Sequence, residues 1–372
     1  MNTELLTAEA VELLKLLVAT PRTSRSEEAA ATLYADFMAQ RGFAPQREAN
    51  NVWCTAEGYS AERPTLLLNA HLDTVRAVSA WTRDPLLPSL EGDRLYGLGT
   101  NDDGASLVAL TQAFRVLAGR PQSYNLILLA SAEEEVSGRD GIERALKRLP
   151  RIDVALVGEP TGMQPAIAEK GLMVLDVTAH GRAGHAAREE GINAIYRAMD
   201  DIAWFRSFRF PDASALLGPV KMSVTVIQAG TQHNVVPDEC RFTVDVRSNE
   251  CYSNEELYRQ ICSHVASDVH ARSFRLNSSR IDPSHPLVRS ALALGPAPDG
   301  QGRRPFGSPT LSDQALMPWP SMKMGPGNSA RSHTADEFIC ISEIHAAIED
   351  YIRLLDGLCF EKNEKLKEKN EK

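Results

Sequence analysis

Short, mostly apolar runs alternate with amphipathic segments in the first half of the chain. The runs Thr65–Leu68, Asn125–Leu129 and Val154–Val157 offer few polar side chains that could face water. Between Gly104 and Leu117, in contrast, apolar residues recur at helical spacing. Because runs of the first kind are typical of strands covered on both faces, we predict an α/β domain whose sheet is covered by helices on both faces.

A second pattern begins near Met173. Residues 174–179 and 241–247 alternate between apolar and polar side chains, which indicates strands with one face exposed to water. Helical periodicity is found near Ile192–Phe205 and Glu255–His270. We therefore predict a smaller α+β domain in this part of the chain.

These patterns divide the chain into two domains. The α/β domain would comprise residues 1–172 and 280–372, with the α+β domain, residues 173–279, inserted into it. The stretch Pro283–Pro309 is rich in proline and glycine and is predicted to be a loop. Residues 361–372 are almost purely Glu, Lys and Asn, a composition that favours a flexible tail.

The segment Ser24–Glu27 precedes an amphipathic run that contains Leu33 and Phe37. A serine followed three residues later by a glutamate is the capping-box pattern, in which both side chains bond to backbone N–H groups at the start of a helix. We predict that Ser24 and Glu27 cap a helix in this way.

Length and composition are those of a globular protein with about two domains. The chain has 372 residues, of which 43% are apolar and 24% are charged. Its formal net charge of −9 argues against a protein that wraps nucleic acid. We find no secretion signal and no apolar run near the ~18 residues that a membrane span requires.

The six cysteines are scattered and form no Cys-x-x-Cys pair. This spacing is typical of free thiols in a reducing compartment rather than of a disulfide framework or a structural zinc site. Together with the lack of membrane and secretion signals, it predicts a cytoplasmic protein.

Histidines and carboxylates follow several predicted strands at the point where each strand ends. They are His71 and Asp73 after the first run, Glu133, Glu134 and Glu135 after the second, Glu159 after the third, Asp102 and Asp103 in a glycine-rich turn before a helix, and His333 in the loop Gly325–His333. Each motif by itself is better explained as a turn, a helix start or a loop. Because open α/β sheets bind ligands beyond the carboxyl ends of their strands, their joint placement predicts one polar site.

The residue types at these strand ends favour a catalytic metal site. Imidazole and carboxylate ligands without cysteine pairs suit a catalytic zinc site rather than a structural one. Two divalent ions ~3.5–4 Å apart can lower the pKa of a bridging water and polarise a carbonyl oxygen. A further glutamate must then move protons, so the pattern predicts a two-metal hydrolase.

Five stretches carry a resemblance to a known family. They are Asn69–Val75, Tyr96–Asp102, Ser131–Glu135, Val157–Thr161 and the His333 loop. In this order they resemble the zinc aminoacylase and carboxypeptidase family, the M20 metallopeptidases, which includes acetylornithine deacetylase, succinyl-diaminopimelate desuccinylase and glutamate carboxypeptidase. The resemblance implies an α/β zinc-peptidase-like catalytic domain with helices on both faces of a mixed sheet, plus an inserted smaller α+β dimerisation domain.

The resemblance also implies a role for each residue of the predicted site. Five residues would hold two Zn²⁺, for which Co²⁺ could substitute: His71 and Glu159 on one ion, Glu135 and His333 on the other, and Asp102 bridging both. Asp73 would orient His71 through its second ring nitrogen. Glu134 would be the general base that takes a proton from the attacking water and passes it to the leaving amine.

The turn at Asp102 departs from the family pattern. Family members usually show Asp-x-Lys-Gly, whereas Asp102-Asp103-Gly104 is one residue shorter and has no lysine, so Asp103 is an alternative bridging ligand. This turn and Thr310–Met317 resemble the acetylornithine deacetylase-like branch of Bacteroidetes. That narrower resemblance implies a substrate of arginine biosynthesis, N-acetyl-L-ornithine or its N-succinyl or citrulline analogue.

The inserted domain carries further matches to the family. The segment His180–Ala187 is similar to the one whose histidine reaches a neighbouring active site, which implies that His185 helps to bind the oxyanion and that the protein is a homodimer through the inserted domain. Asn234 and Arg247 lie in segments similar to substrate-binding positions. For Arg247, a surface ion pair is an equally good interpretation.

Other functions remain open or are excluded. The Gly-x-Gly motif at Gly97 lacks the third glycine of a nicotinamide-binding site, and the serine-hydrolase motif Gly-x-Ser-x-Gly is absent. A di- or tripeptidase of the same family and a non-catalytic binding homologue remain alternatives. A succinyl group would need an added cation, for which the candidates are Arg331, Arg188, Arg182 and Lys170.

Overall fold

A computed structural model describes residues 2–188 and 190–363 and divides the chain into two compact units. Unit 1 comprises Met1–Ile167, Ile281–Phe306 and Ser312–Lys372, and unit 2 comprises Ala168–Arg280 and Gly307–Leu311. Unit 2 thus contains residues 168–172, which precede the predicted inserted domain. Most of the predicted tail, residues 364–372, lies outside the described residues.

The described residues contain eight α-helices. They are α1 (Thr3–Ala19), α2 (Glu28–Ala39), α3 (Ala105–Ala118), α4 (Ile142–Leu146), α5 (Ala194–Ser207), α6 (Asn254–His264), α7 (Pro286–Ala293) and α8 (Ile341–Leu355). Within this part of the chain, no helix combines the length and the apolar character that crossing a membrane requires.

The described residues also contain 18 β-strands. They are β1 (Gln46–Glu48), β2 (Asn51–Thr55), β3 (Thr65–His71), β4 (Ser89–Glu91), β5 (Arg94–Tyr96), β6 (Asn125–Ser131), β7 (Val154–Val157), β8 (Ala166–Glu169), β9 (Met173–His180), β10 (Gly184–His185), β11 (Lys221–Ala229), β12 (Val235–Val236), β13 (Glu239–Arg247), β14 (Asp268–Ala271), β15 (Ser279–Arg280), β16 (Phe306–Ser308), β17 (Ser321–Lys323) and β18 (Phe338–Cys340).

The main sheet of unit 1 is mixed, with the strand order β1-β2-β6-β3-β7-β17-β8. Strands β6, β3, β7 and β17 are parallel to one another, and the outer pairs are antiparallel. Every residue of β3, β6 and β7 is buried, as the apolar runs predict. His71 of β3 pairs with Ser131 of β6, so the carboxyl ends of these two strands are level at one edge of the sheet.

Helices cover both faces of this sheet. On one face α3 packs on β3 and β6 and is itself packed against α1 and α8. On the other face Ile142 and Ala145 of α4 join Leu67, Ile127 and Leu129 in a buried cluster. The predicted α/β fold with a covered mixed sheet is therefore confirmed.

Unit 2 contains an antiparallel sheet with the order β11-β13-β9-β14. Alternate residues of β9 are buried and partly exposed, as its sequence pattern predicts. The buried side of the sheet, including Leu175 and Val244, packs with Phe205 of α5 and Leu257 of α6. The smaller α+β part of the chain thus has a core of its own.

Three local predictions are wrong. The segment Ser24–Glu27 forms no capping box, because α2 begins at Glu28 and Glu27 makes no side-chain cap. Helix α6 ends at His264, and part of the predicted helix is the strand β14. The proline-rich stretch predicted as a loop contains α7, whose first residue, Pro286, occupies a position that needs no backbone N–H.

Candidate metal centre

Parallel strands of unit 1 deliver the predicted site residues to one edge of the sheet. His71 is the last residue of β3, and Glu134 and Glu135 lie in a short 3-10 helix just after β6. Glu159 follows β7 by two residues. Because β6, β3 and β7 are neighbours, the ends of these strands bring side chains that are far apart in sequence into contact.

Two groups of possible ligand atoms meet at His71. His71, Glu134 and Glu159 form one group, and His71, Asp102 and Glu135 form the other, with the atoms of each group within 4.8 Å of one another. His333 adjoins the second group, since its Nε2 lies 2.9 Å from Oε2 of Glu135. The structure therefore brings all five predicted metal ligands and the predicted base together in unit 1.

Asp102 lies between the two histidines. Its Oδ1 is 3.1 Å from Nε2 of His71, and its Oδ2 is 3.6 Å from Nε2 of His333. One oxygen thus faces each imidazole, which is the arrangement that a carboxylate shared by two cations requires. Burial alone would raise the pKa of Asp102, but the contact with His71 holds it below its usual value.

Asp73 provides the hydrogen-bond partners of His71 on the side of the ring that faces away from Asp102. Nδ1 of His71 lies 3.0 Å from the backbone oxygen of Asp73 and 3.5 Å from its Oδ1. An N–H at Nδ1 would donate to these oxygens and leave Nε2 facing the other carboxylates, as metal-binding histidines usually require. Burial would lower the pKa of His71, but Asp102 and Asp73 raise it well above its usual value.

Asp73 also fixes the backbone that carries Glu134 and Glu135. Its Oδ1 accepts from the backbone N–H of Glu134 at 3.0 Å, and its Oδ2 accepts from that of Glu135 at 3.2 Å. Ser24, which does not cap a helix, donates its hydroxyl to Oδ2 of Asp73 at 2.7 Å. Although burial would raise the pKa of Asp73, the contact with His71 and these donors lower it.

The three consecutive glutamates have three different environments. Glu133 adopts a left-handed conformation with φ of 54°, and its carboxylate lies so close to Gly138 that a Cβ added there would collide with it. This conformation costs a residue with a Cβ on the order of 1 kcal/mol. Glu134 and Glu135, in contrast, face His71 from separate ligand groups. The sequence alone could not assign these three environments.

The carboxyls that face His71 from the first group are poorly solvated. Burial raises the pKa of Glu134 well above its usual value, and Glu159, Asp313 and Glu135 nearby raise it further although His71 opposes the shift. Burial also raises the pKa of Glu159, against the opposing charge of Lys323. A carboxyl whose pKa is raised toward neutrality is suited to accept and return a proton.

Glu337 is a residue of this region that sequence reasoning missed. Its carboxylate is buried and accepts from the backbone N–H groups of Gly99, Asn101 and Asp102 at 3.1, 2.8 and 2.9 Å. It therefore fixes the turn that carries the predicted bridging residue, and burial raises its pKa to about 7. The only signal in the sequence was its position four residues after His333.

The alternative ligand Asp103 lies beside the site but not in it. It is fully buried and belongs to neither group of converging ligand atoms within the described residues. Burial, opposed by His71 and aided by the charge of Asp102, raises its pKa to about 7.

Asp313, which sequence reasoning also missed, accepts from Asn69 at 2.9 Å and from Ser131 at 2.6 Å beneath the strand ends.

The remaining predicted residues lie in unit 2. His185 is exposed on β10, which pairs with β12, and its Nδ1 accepts from the N–H of Ala187 at 3.1 Å. The backbone oxygen of Asn234 accepts from Ala186 at 3.0 Å, so His185 and Asn234 lie on adjacent segments.

Arg247 is engaged within its own strand. Its Nε and Nη2 donate to the two carboxylate oxygens of Asp245 at 2.8 and 3.1 Å. This bidentate pair matches the ion-pair interpretation of Arg247, and any substrate carboxylate would compete with Asp245 for the guanidinium.

Two family profiles match the chain. The one described as "Peptidase dimerisation domain" matches residues 167–272, which lie almost entirely in unit 2. The one described as "Peptidase family M28" matches residues 51–154, which contain β2 to β6 and most of the predicted ligands.

Two curated relatives match the chain over nearly its whole length. The succinyl-diaminopimelate desuccinylase of Delftia acidovorans is 26% identical, over 94% of this chain and 97% of that protein. The acetylornithine deacetylase of Proteus mirabilis is also 26% identical, over 94% of this chain and 96% of that protein.

Three solved structures share the fold. A tripeptidase from Staphylococcus aureus superposes with a TM-score of 0.74 and 18% identity, covering 94% of this chain and 97% of that one. An M20 family metallo-carboxypeptidase from Sulfolobus solfataricus gives 0.72 and 17%, covering 93% and 98%. A dinuclear metal binding peptidase of the M20 family from Bacillus subtilis gives 0.71 and 14%, covering 95% and 100%. The chain is therefore similar along nearly its whole length to deacylases and peptidases of the M20 family, and it is a hydrolase that acts on amides.

Proposed function

We propose that this protein is a two-zinc deacylase that cleaves the linear amide bond of an N-acyl amino acid, with N-acetyl-L-ornithine as the preferred substrate. One observation carries the proposal. His71, Asp102, Glu135, Glu159 and the neighbouring His333 converge at the edge of one sheet, and an additional carboxyl, Glu134, is available for proton transfer.

The donor set fits a pair of divalent cations. Imidazole nitrogen and carboxylate oxygen without thiolate suit catalytic zinc, and cobalt or manganese could occupy the same ligands. In the proposed assignment His71 and Glu159 would hold one ion, Glu135 and His333 would hold the other, and Asp102 would be shared by both. When bound, the two ions polarise the amide carbonyl and lower the pKa of a water.

Glu134 is the proposed general base. Its raised pKa and its place beside His71 suit a carboxyl that removes a proton from water and returns it to the leaving amine. Asp73 supports this role in two ways, because it binds Nδ1 of His71 through its backbone oxygen and accepts from the backbone N–H of Glu134.

The choice of amino acid rests on resemblance. The Asp102–Gly104 turn and Thr310–Met317 are similar to the acetylornithine deacetylase-like branch, which favours a role in arginine biosynthesis. One curated relative acts on acetylornithine and the other on succinyl-diaminopimelate, so the N-succinyl and citrulline analogues belong in the same proposal.

The cations that could bind a succinyl carboxylate already have partners. Arg331 donates to Glu343 at 2.7 Å, and Arg182 donates to the backbone oxygen of Glu190 at 2.9 Å. Arg188 lies 3.8 Å from the carboxylate of Glu190. Lys170 donates only to the backbone oxygen of Pro219, at 3.2 Å, among the interactions described. The acetyl group, which needs no added cation, is the proposed acyl group because the Asp102–Gly104 turn and Thr310–Met317 resemble the acetylornithine deacetylase-like branch.

Unit 2 is proposed to form a homodimer and to contribute His185 to the oxyanion site of the neighbouring subunit. Its match to a peptidase dimerisation domain supports this. Strand β11 is an edge strand with Val226 and Ile227 half exposed, and α5, which packs on it, exposes Tyr196 and Met199. Exposed apolar residues beside an unpaired strand edge are typical of a protein interface.

Asn234 and Arg247 are proposed to bind the substrate from unit 2. Asn234 lies beside His185, and Arg247 could exchange Asp245 for a substrate carboxylate.

A cytoplasmic location is proposed from the cysteines, all six of which are free and three of which are exposed.

A panel of amide substrates tests the proposed function. Acetyl- and succinyl-ornithine, acetyl- and succinyl-citrulline and several di- and tripeptides would be compared with metal-free protein and with added Zn²⁺ or Co²⁺. We expect metal-dependent release of acetate from acetylornithine at the highest kcat/KM. Faster cleavage of peptides would favour the peptidase alternative, and inactivity with every metal and amide would favour a non-catalytic homologue.

A further inference from the structure

Two buried carboxylates accept hydrogen bonds from three consecutive backbone N–H groups in the turn that carries the proposed base. Asp73 accepts from Glu134 and Glu135, as described above. The preceding N–H, that of Glu133, donates to Oε1 of Glu27 at 3.1 Å. The turn that carries the base is therefore held from both Asp73 and Glu27.

Glu27 is itself held firmly in place. Its side chain is fully buried, with Oε1 accepting from the N–H of Arg25 at 2.8 Å and Oε2 accepting from the side-chain amide of Asn50 at 3.1 Å. It belongs to neither group of converging ligand atoms in the described part of the chain. Because burying a carboxylate is costly, its contact with the turn calls for a role beyond filling space.

The contact acts on a residue with an unfavourable backbone conformation. Glu133 has φ of 54°, in the left-handed region that residues with a Cβ avoid. Its N–H is fixed by Glu27, and its backbone oxygen accepts from Gly138 at 2.9 Å. Without Glu27 the residue would be free to relax to a negative φ, and this rotation would redirect Glu134, the next residue.

We propose that Glu27 is a positioning residue that keeps Glu133 left-handed and thereby directs the carboxyl of Glu134. The proposal rests on the proposed function of Glu134 as the base. Ser24 adds a second link from the same segment, since its hydroxyl donates to Asp73. The segment Ser24–Glu27 therefore supports both carboxylates that hold the turn.

The first test compares Glu27→Gln with Glu28→Gln. Glu28 is the exposed neighbour of Glu27, and its side chain makes no described hydrogen bond to the turn, so it is a matched control. In Glu27→Gln one carboxylate oxygen becomes an amide NH₂, which cannot accept from the three N–H donors around it. We expect kcat to fall about tenfold, because a small displacement of a reacting group has a large effect on rate. KM, metal content and the control variant should stay close to wild type.

A double-mutant cycle separates positioning from general stability. Glycine adopts a positive φ without strain, so Glu133→Gly removes the need for Glu27 to hold residue 133 in place. In the wild-type background we expect Glu27→Gln to lower kcat about tenfold. In the Glu133→Gly background we expect the same substitution to lower kcat by a much smaller factor. A loss from Glu27→Gln that is the same in both backgrounds would overturn the proposal.

Hydrogen exchange gives a measurement that needs no substrate. In metal-free protein we expect the backbone N–H groups of residues 133–135 to exchange faster in Glu27→Gln and unchanged in Glu28→Gln. If wild type hydrolyses no amide, the proposed function fails while this measurement still tests Glu27. Unchanged exchange in that case, or a kcat within twofold of wild type when the enzyme is active, would overturn the proposal.

A milder variant covers the case in which Glu27→Gln does not fold. Asn50→Ala removes one of the three donors to Glu27 and keeps the carboxylate. We expect it to lower kcat in the same direction by a smaller factor and to speed exchange at residue 133. No change in either quantity would again contradict the role of Glu27.

Discussion

The sheets of the two units differ in what their strands leave exposed. In unit 1 every residue of β3 and β6 is buried, and the charged side chains of the candidate site lie where the strands end. In unit 2 alternate residues of β9 are partly exposed, and β11 is an edge strand with exposed apolar residues. A sheet covered on both faces thus concentrates charged side chains at one edge, whereas the sheet of unit 2 leaves alternate residues and one strand edge exposed.

The largest expected effect tests whether the chemistry belongs to the strand ends of unit 1. Glu134→Gln removes the proposed base and keeps its size. We expect kcat to fall about 10⁴-fold while the protein still binds two metals, because general-base catalysis contributes up to about that factor. Steady-state kinetics and metal analysis on the same sample would check this, and substantial residual activity would remove the assigned role.

The next effect tests whether unit 2 contributes to the reaction at all. His185→Ala should lower kcat by about 10²-fold, the loss expected for one oxyanion donor, with metal content unchanged. Mixed dimers of His185→Ala and Glu134→Gln subunits should regain partial activity, because one of the two sites would then contain both residues. No recovery after confirmed subunit mixing would exclude action across the interface.

A third prediction compares the two sheets directly by stability. Leu67→Ala and Leu68→Ala, adjacent and fully buried in β3, should each lower the free energy of unfolding by about 2–5 kcal/mol. In β9, Leu175→Ala should have a similar effect, but Thr178→Ala on the partly exposed side should change it by about 0.5 kcal/mol or less. Urea unfolding followed by circular dichroism would measure both, and equal effects along β9 would contradict the comparison.

The smallest expected effect concerns pH. Glu134 must be ionised to act as a base, so kcat/KM should fall as the pH drops through its pKa. Because that pKa is raised, the fall should begin at a pH above the ordinary glutamate pKa of about 4.3. Asp313→Asn removes a nearby negative charge that helps to raise this pKa, so it should move the acidic limb to lower pH by less than about one unit. A limb that stays in place, or moves upward, would contradict the electrostatic assignment.

Much of the fold and the gathering of the site could be predicted from sequence. The buried runs that became β3, β6 and β7 have a composition typical of covered strands, and the parallel pairing of these strands places His71, Glu135 and Glu159 at one edge. The failures were local. Ser24 and Glu27 have the pattern of a capping box, but their side chains bond to Asp73 and to the Glu133 turn, which no short-range pattern can reveal.

By itself, the sequence determined which strands are buried on both faces and which have one exposed face, because the period of apolar residues follows directly from the number of covered faces. It also determined that acids and histidines follow the buried strands. Only the tertiary structure decided that Glu133 lies against Gly138 while Glu134 and Glu135 face His71, and that Glu337 fixes Asp102. These assignments depend on contacts between residues far apart in the chain, which the spacing of residues along it does not encode.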